Sequence, residues 1–461
     1  LAALLSALMS NTGTAALLEL AAEEYHPKVR LLLEFAGDGG RRNVPDPYYG
    51  GMLGFKQFVK AAHGHGIAVI LDVVYNHLGP GDLDLWRFDG WWEGDGGGIY
   101  FYNDRRNETP WGHTRPDYGR PEVRQMLRDN ALMWLHEYKV DGLRWDATAH
   151  IRNIYGNDNE PANDLPDGWS LMQWINEEVR EQEPNNLTIA EDLRNNEWIV
   201  KDTGAGGAGF GAQWDANFVH PVRAAIISAD DAFRDLDAVR RALTYVYDGD
   251  PFKRVVYTES HDEVANGKAR VPEEIWPGNS QNWFARKRST LGAVLVFTAP
   301  GIPMIFQGQE FLEGKWFTDT EPLDWENVNE EQGIVYLYRD LMHLRRNLRA
   351  TTRGLTGRHI NVYHMNPKGK VLAFHRWYEG GPGDSTVVVV NMANRTLTDY
   401  VIGFPAAGQW SLRFDSHAAA YSPDYEGQVS GDVAAEPGEY DGLPAHGKVN
   451  LAPYSGVIYS Q

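Results

Sequence analysis

Between residues 67 and 307 one pattern recurs six times: a short apolar run, a loop carrying polar side chains and, in most cases, a helical stretch. The runs lie at 67–74 (IAVILDVV), 140–146 (VDGLRWD), 187–192 (LTIAED), 213–217 (QWDAN), 253–259 (KRVVYTE) and 302–307 (IPMIFQ). The first is apolar almost throughout, as a strand buried on both faces must be. Helical periodicity predicts helices at 54–65, 121–138, 169–183, 221–229, 237–247, 282–297 and 331–349. Strands alternating with helices at this rhythm imply a parallel sheet joined by right-handed crossovers.

Two arrangements satisfy that pattern, an open doubly wound sheet and a closed barrel. Polar, reactive side chains stand at the C-terminal ends of four runs: Asn76 and His77, Asp146, Glu191, and His261 with Asp262. In a closed barrel such ends converge on one mouth, whereas an open sheet strings them along an edge. The barrel is therefore the expected architecture. Residues 1–48 must then hold strands 1 and 2; 29–35 is the one candidate run there, and the rest is Ala/Leu-rich and helical in character. The Gly/Asp/Trp-rich segment 78–119 reads as a small inserted subdomain after strand 3. Beyond residue 353 the rhythm changes to short alternating runs at 362–364, 371–376, 386–391, 409–414 and 457–459, the mark of an antiparallel β domain. The expected fold class is thus α/β: a (β/α)8 TIM barrel over 1–352 with an insertion at 78–119, followed by a C-terminal β-sandwich over 353–461.

Composition narrows the partners. A net charge of −20 disfavours nucleic acid and anionic membranes. No apolar run approaches the ~20 residues that span a bilayer. With no cysteine there is no disulfide, thiol nucleophile or zinc–thiolate site. The chain begins at Leu1 without the charged start of a signal peptide, as a cut or processed end would, and a soluble, cytoplasmic protein is the expectation. The 16 Trp and 22 Tyr suit stacking on sugar rings and large cores alike.

The chemistry starts at 141–150, DGLRWDATAH. On a strand, residues i and i+2 share a face, so Arg144 stands beside Asp146. A neighbouring guanidinium keeps a carboxylate ionised, as a carboxylate nucleophile must be. One Arg-x-Asp is ordinarily a strand-end salt bridge, but three acids at one barrel mouth are not ordinary. A pair of carboxyls, one ionised and one protonated, performs retaining glycoside hydrolysis by double displacement. Asp146 fits the nucleophile. Glu191, following apolar Ile189 and Ala190 and placed among other acids, fits the group that gives and then takes the proton. Asp262 would stabilise positive charge developing on the sugar ring, with His261 beside it to bind hydroxyls.

The runs DVVYNH (72–77), GLRWDATAH (142–150), IAEDL (189–193) and ESHDE (259–263) resemble, in order and spacing, the four sequence regions of the α-amylase family, glycoside hydrolase family 13. The resemblance covers roughly 49–461 and includes the closing LAPYSGVIYS. It implies Asp146 as nucleophile, Glu191 as acid/base and Asp262 as transition-state stabiliser. It also implies that Arg144, His77 and His261 contact the sugar at the cleavage site, and that Asp72 braces Arg144 from behind. The family's strand 2 motif, with a stacking tyrosine ahead of the Tyr-Gly seen as Tyr49-Gly50, is not found in 1–48.

The family's chemistry requires no cofactor, and no metal ligand is assigned. Calcium is compatible with the resemblance through Asn76, which matches a calcium-binding asparagine, although an asparagine there is more commonly a loop brace. The expected substrate is an α-1,4-glucan such as starch, glycogen or a maltooligosaccharide. Hydrolysis is the expected outcome, with 1,4-α-glucan branching as the alternative, because HDEV before Gly267-Lys268 is similar to branching enzymes. A non-catalytic carbohydrate-binding relative would lack one of the acids, and all three are present. A phosphate-handling barrel would need a basic cradle near Gly301 and Gly308, or beside the Gly-rich run 204–211, and neither has one. Of Trp86, Trp91, Trp92, Trp111 and Trp214, at most two are expected to line sugar subsites. The acid of Gln307-Gly308-Gln309-Glu310 is expected to support the barrel.

Overall fold

The computed structural model describes residues 32–35, 51–79, 85–265, 268–317, 322–426 and 429–461. The chain divides into two compact units, Leu1–Trp214 and Asp215–Gln461.

The first unit is built on five strands, β1 (Leu32–Phe35), β2 (Ala68–Val73), β3 (Gly142–Trp145), β4 (Leu187–Ala190) and β5 (Ala212–Trp214). They pair in sequence order and in parallel. β1 falls within the candidate run 29–35; the other strand expected near the N-terminus lies outside the described residues. Every residue of β2 is buried, as its continuous apolar run requires. Helices Gly51–Gly64, Pro121–His136 and Pro166–Gln182 connect successive strands. Pro121 and Pro166 sit in the first turn, where the missing N–H leaves no helical bond unmade. The second helix buries Val123, Leu127, Ala131 and Trp134, and the third Leu171, Ile175 and Val179, each set at three- or four-residue spacing. The described part of 78–119 holds only isolated bridges, Phe101 with Pro116 and Thr109 with Gly112, and one short 3-10 turn.

Register decides what the unit presents at its strand ends. Asp72 of β2 lies opposite Arg144 of β3, which lies opposite Ile189 of β4. Gly142 opens β3 because its backbone runs close to its neighbours. A Cβ there would come within 2.2 Å of the Leu187 carbonyl and 2.6 Å of Ile70 Cδ1.

In the second unit β6 (Arg254–Val256) pairs in parallel with β7 (Ile302–Pro303). Both are shorter than the runs 253–259 and 302–307 that predicted them. Beyond Val256 the chain leaves the ladder: the Thr258 carbonyl accepts from Arg223 Nη1 at 2.9 Å, and its hydroxyl from Gln309 Nε2 at 2.7 Å. The C-terminal part is an antiparallel sheet of β8 (His359–Asn366), β9 (Val371–Trp377), β10 (Thr386–Asn391), β11 (Leu397–Phe404), β12 (Gly408–Asp415), β13 (Val433–Tyr440), β14 (Leu443–Leu451) and β15 (Ser455–Ser460). Its order is β11-β14-β13-β12-β15-β10-β9-β8. Buried Phe404, Trp410, Val389 and Val457 sit in its core. Helix Trp283–Thr298 packs both on helix Gln332–Arg345 and on β15, and is buried almost all round.

Candidate active site

Arg144 is the centre of the site. Its side chain is 0% exposed, and its guanidinium meets three carboxylates. Nη1 donates to Asp72 Oδ2 at 2.6 Å and to Asp146 Oδ1 at 2.9 Å. Nη2 lies 2.7 Å from Glu191 Oε2. The Trp214 ring lies 4.3 Å from the guanidinium carbon, a cation–π contact that needs no water. Register produces this convergence: Asp72 and Arg144 pair across the ladder, and Asp146 and Glu191 each follow immediately on the end of β3 and β4.

Asp146 is held from two sides. Besides Arg144, Asn76 Nδ2 donates to Asp146 Oδ2 at 2.7 Å and to the Asp146 backbone carbonyl at 2.9 Å.

Glu191 is only 6% exposed, and its Oε2 also accepts from Ala147 N–H at 2.9 Å. Ala147 has φ of +41°, a left-handed conformation rare for a residue with a Cβ. That turn brings the amide following the nucleophile onto Glu191. Expectation placed Glu191 among other acids; the structure adds a cation, Arg144 Nη2 at 2.7 Å. Its neighbour Asp192 is clamped by Arg152, Nε to Oδ2 and Nη2 to Oδ1, both at 2.8 Å, and takes no part in this cluster.

His77 Nδ1 lies 2.5 Å from Asn76 Oδ1, and its ring stacks on Trp111 with centroids 4.8 Å apart and planes 11° apart. Burial lowers its pKa, while the charge of Asp146 pulls the other way. Trp111, 49% exposed, also meets the edge of His150, whose pKa burial and then Arg115 push down to about 4. Trp111 thus packs against both imidazoles. Of the five candidate tryptophans, Trp111 touches His77 and Trp214 is buried beneath Arg144. Trp86 packs on Phe101, while Trp91 and Trp92 lie under Arg120 and Arg87.

His261 and Asp262 belong to the second unit, in the turn after β6. His261 Nε2 is 3.5 Å from Asp262 Oδ2. Within ESHDE the Asp262 side chain is the most open to solvent, 42% exposed, with His261 next at 27%. Glu259 is fully buried; its Oε1 accepts from Val271 N–H, and burial raises its pKa. Glu263 is buried and lies 3.3 Å from Lys268 Nζ. Exposure thus distinguishes Asp262 from the two glutamates flanking it.

The Asn76 side chain bonds Asp146 and His77, and among the described residues no group of three or more His, Asp or Glu side chains is arranged to hold a metal ion. Sequence reading had no signal for the partner of Asn76, or for Ala147 and Arg152, since each contact spans residues distant in the chain or depends on one backbone angle.

Comparison with known families decides the lineage. The model of the alpha amylase catalytic domain matches residues 91–350, and that of the alpha amylase C-terminal all-beta domain matches 362–461. The chain belongs to the alpha-amylase family. Among curated relatives, a 1,4-alpha-glucan branching enzyme of Oceanobacillus iheyensis is 27% identical over 447 residues, 89% of this chain and 65% of its own length. One from Mycobacterium bovis is 30% identical over 452 residues, 92% of this chain and 58% of its own. The chain thus spans about six-tenths of the length of these relatives. A solved structure described as a putative alpha amylase from Salmonella typhimurium superposes with a TM-score of 0.65 at 21% identity, covering 99% of this chain and 80% of the other. The family's fold, a (β/α)8 barrel with a C-terminal antiparallel β domain, is the fold of this chain. No helix among the described residues is long and apolar enough to cross a membrane.

Proposed function

We propose that this alpha-amylase family member transfers glucosyl chains of α-1,4-glucans with retention, through a covalent glycosyl-aspartate on Asp146. The observation carrying this reading is the shared guanidinium of Arg144, which binds Asp146 and Glu191 on neighbouring nitrogens. Retaining pairs stand about 5–5.5 Å apart and inverting pairs about 6.5–9.5 Å, the wider gap admitting a water. Two acids docked on one guanidinium favour the closer spacing.

In the first step an Asp146 oxygen attacks the anomeric carbon. The bond to the departing chain breaks, and the proton of Glu191 moves to the leaving oxygen. In the second, Glu191 takes a proton from the acceptor hydroxyl, whose oxygen displaces Asp146 from the anomeric carbon. His77 binds hydroxyls of the glucosyl unit, and the resemblance gives Asp262 and His261 of the second unit the roles of charge stabilisation and hydroxyl binding. Asp72 fixes Arg144, and no step uses a metal.

The acceptor separates two outcomes. Transfer to a sugar hydroxyl, forming α-1,6 branches, is supported by the branching enzymes to which this chain is similar over about nine-tenths of its length. Hydrolysis is supported by the partial exposure of Asp146, 20% for its side chain, which admits water to the intermediate. Incubation with amylose, followed by reducing-end assay and α-1,6 linkage analysis, tests both. New branches with few new ends are the expected result, rising ends without branches would establish hydrolysis, and no change in either would overturn the reading. Asp146→Asn should abolish turnover with glucan binding retained.

A further inference from the structure

We propose a second carbohydrate-binding site on the C-terminal β domain, a groove that holds an α-glucan chain away from the catalytic acids. This rests on the proposed glucan substrate.

The groove, about 780 Å³, is lined by the end of β8, the middle of β11 and the hairpin tip between β13 and β14. β8 and β11 are the two ends of the sheet order, so side chains rather than a backbone ladder join them here. His364 Nε2 lies 2.8 Å from Tyr400 Oη, to which Asn366 Nδ2 donates at 2.9 Å. His364 Nδ1 lies 2.9 Å from Asp441 Oδ2, which also accepts from Gly403 N–H at 3.0 Å. The polar lining is therefore pre-oriented.

Backbone irregularities converge on this place. The register of β8 against β9 shifts between Val362 and His364. That of β11 against β14 shifts between Leu397 and Tyr400. That of β13 against β14 shifts between Pro437 and Tyr440. His364, Tyr400 and Tyr440 thus each resume pairing immediately after a shift. A bulge re-aims the side chain that follows it, and it also blunts an exposed sheet edge. Edge protection accounts for β8 and β11 but not for β13, which lies between two partners. Aiming of side chains into the groove accounts for all three.

The lining selects the ligand class. Tyr440, 41% exposed, lines the groove. Lys368 and Asp399 are the lining's single cation and single anion, so the groove has no net sign to draw a phosphate or a basic peptide. An exposed aromatic side chain for the apolar side of a sugar, with fixed imidazole, amide and hydroxyl groups for its rim, suits a neutral polyhydroxylated chain.

The test uses the full-length protein with Tyr440→Ala and Tyr440→Trp, followed by affinity electrophoresis in glycogen gels and turnover of maltoheptaose. Tyr440→Ala should weaken glycogen retention about tenfold, as loss of one buried ring face implies. Tyr440→Trp should restore retention, and both variants should turn over maltoheptaose at the wild-type rate. Unchanged retention of Tyr440→Ala with normal turnover overturns the groove and leaves the substrate reading standing. If wild type neither binds glycogen nor turns over maltoheptaose, the substrate reading falls and takes the groove with it. Retention lost equally in Tyr440→Ala and Tyr440→Trp also overturns the groove, because a ring platform tolerates that exchange.

Discussion

Asn76→Ala tests how the nucleophile is held. The asparagine makes two bonds to one residue, Nδ2 to Asp146 Oδ2 at 2.7 Å and to the Asp146 carbonyl at 2.9 Å. Alanine removes both, and leaves Arg144 as the only one of these two side chains still donating to the carboxylate. A hydrogen bond to a charged group contributes about 1.5–3 kcal/mol. If that bond orients the attacking oxygen, its loss raises the barrier by a similar amount, a fall in kcat of about 10- to 150-fold. Because Asn76 Oδ1 also meets His77 Nδ1, a smaller rise in KM should accompany the fall in kcat. Steady-state kinetics on amylose, with a thermal melt to show that the variant folds, make the measurement. Added calcium should restore nothing. Activity within about twofold of wild type would refute the positioning role, and rescue by calcium would return Asn76 to metal binding.

Two further outcomes follow from the geometry. Ala147 at φ +41° should accept glycine at little cost, whereas Ala147→Val should destabilise the protein by about 1–3 kcal/mol in denaturant melts. It should also lower turnover by displacing the N–H that holds Glu191. Lys287 is fully buried against His417 Nδ1 at 3.2 Å and the Tyr425 ring at 4.7 Å, and burial lowers its pKa to about 7, with Asp415 opposing. Between pH 7 and the ordinary lysine value the unfolded chain binds the extra proton, so this residue makes stability rise with pH. Lys287→Met should therefore stabilise the fold most near pH 7 and progressively less toward pH 10, by urea denaturation; an advantage that is constant across that range would refute the assignment.

The barrel strands were legible where burial on both faces forces a continuous apolar run, as at 67–74. The same reading overran at 253–259 and 302–307, because apolar character continues after ladder pairing stops. In the C-terminal sheet β11, β13 and β14 escaped detection. β13 (VAAEPGEY) is largely exposed and carries Pro437 and Gly438, so it lacks the alternation of a half-buried strand; β14 does alternate, with Ala445, Gly447, Val449 and Leu451 buried, but Pro444 and Gly447 read as turn residues. The site residues Asp72, Arg144, Asp146 and Glu191 were legible because each stands in or immediately beyond a strand run. Their joint attachment to one guanidinium was not, since it depends on register across three strands. Nor was the fate of Trp214, whose type fits a sugar platform as well as the buried floor under Arg144 that it provides.

The central claim is most directly tested by trapping the intermediate. In Glu191→Gln the first step fails for ordinary glucans but proceeds with maltosyl fluoride, whose leaving group needs no proton, while the second step lacks its base. Mass spectrometry of the digested protein should then find a maltosyl adduct on the peptide containing Asp146, absent when Asp146→Asn is added. An adduct on another residue, or none despite release of fluoride, would contradict a glycosyl-aspartate at Asp146.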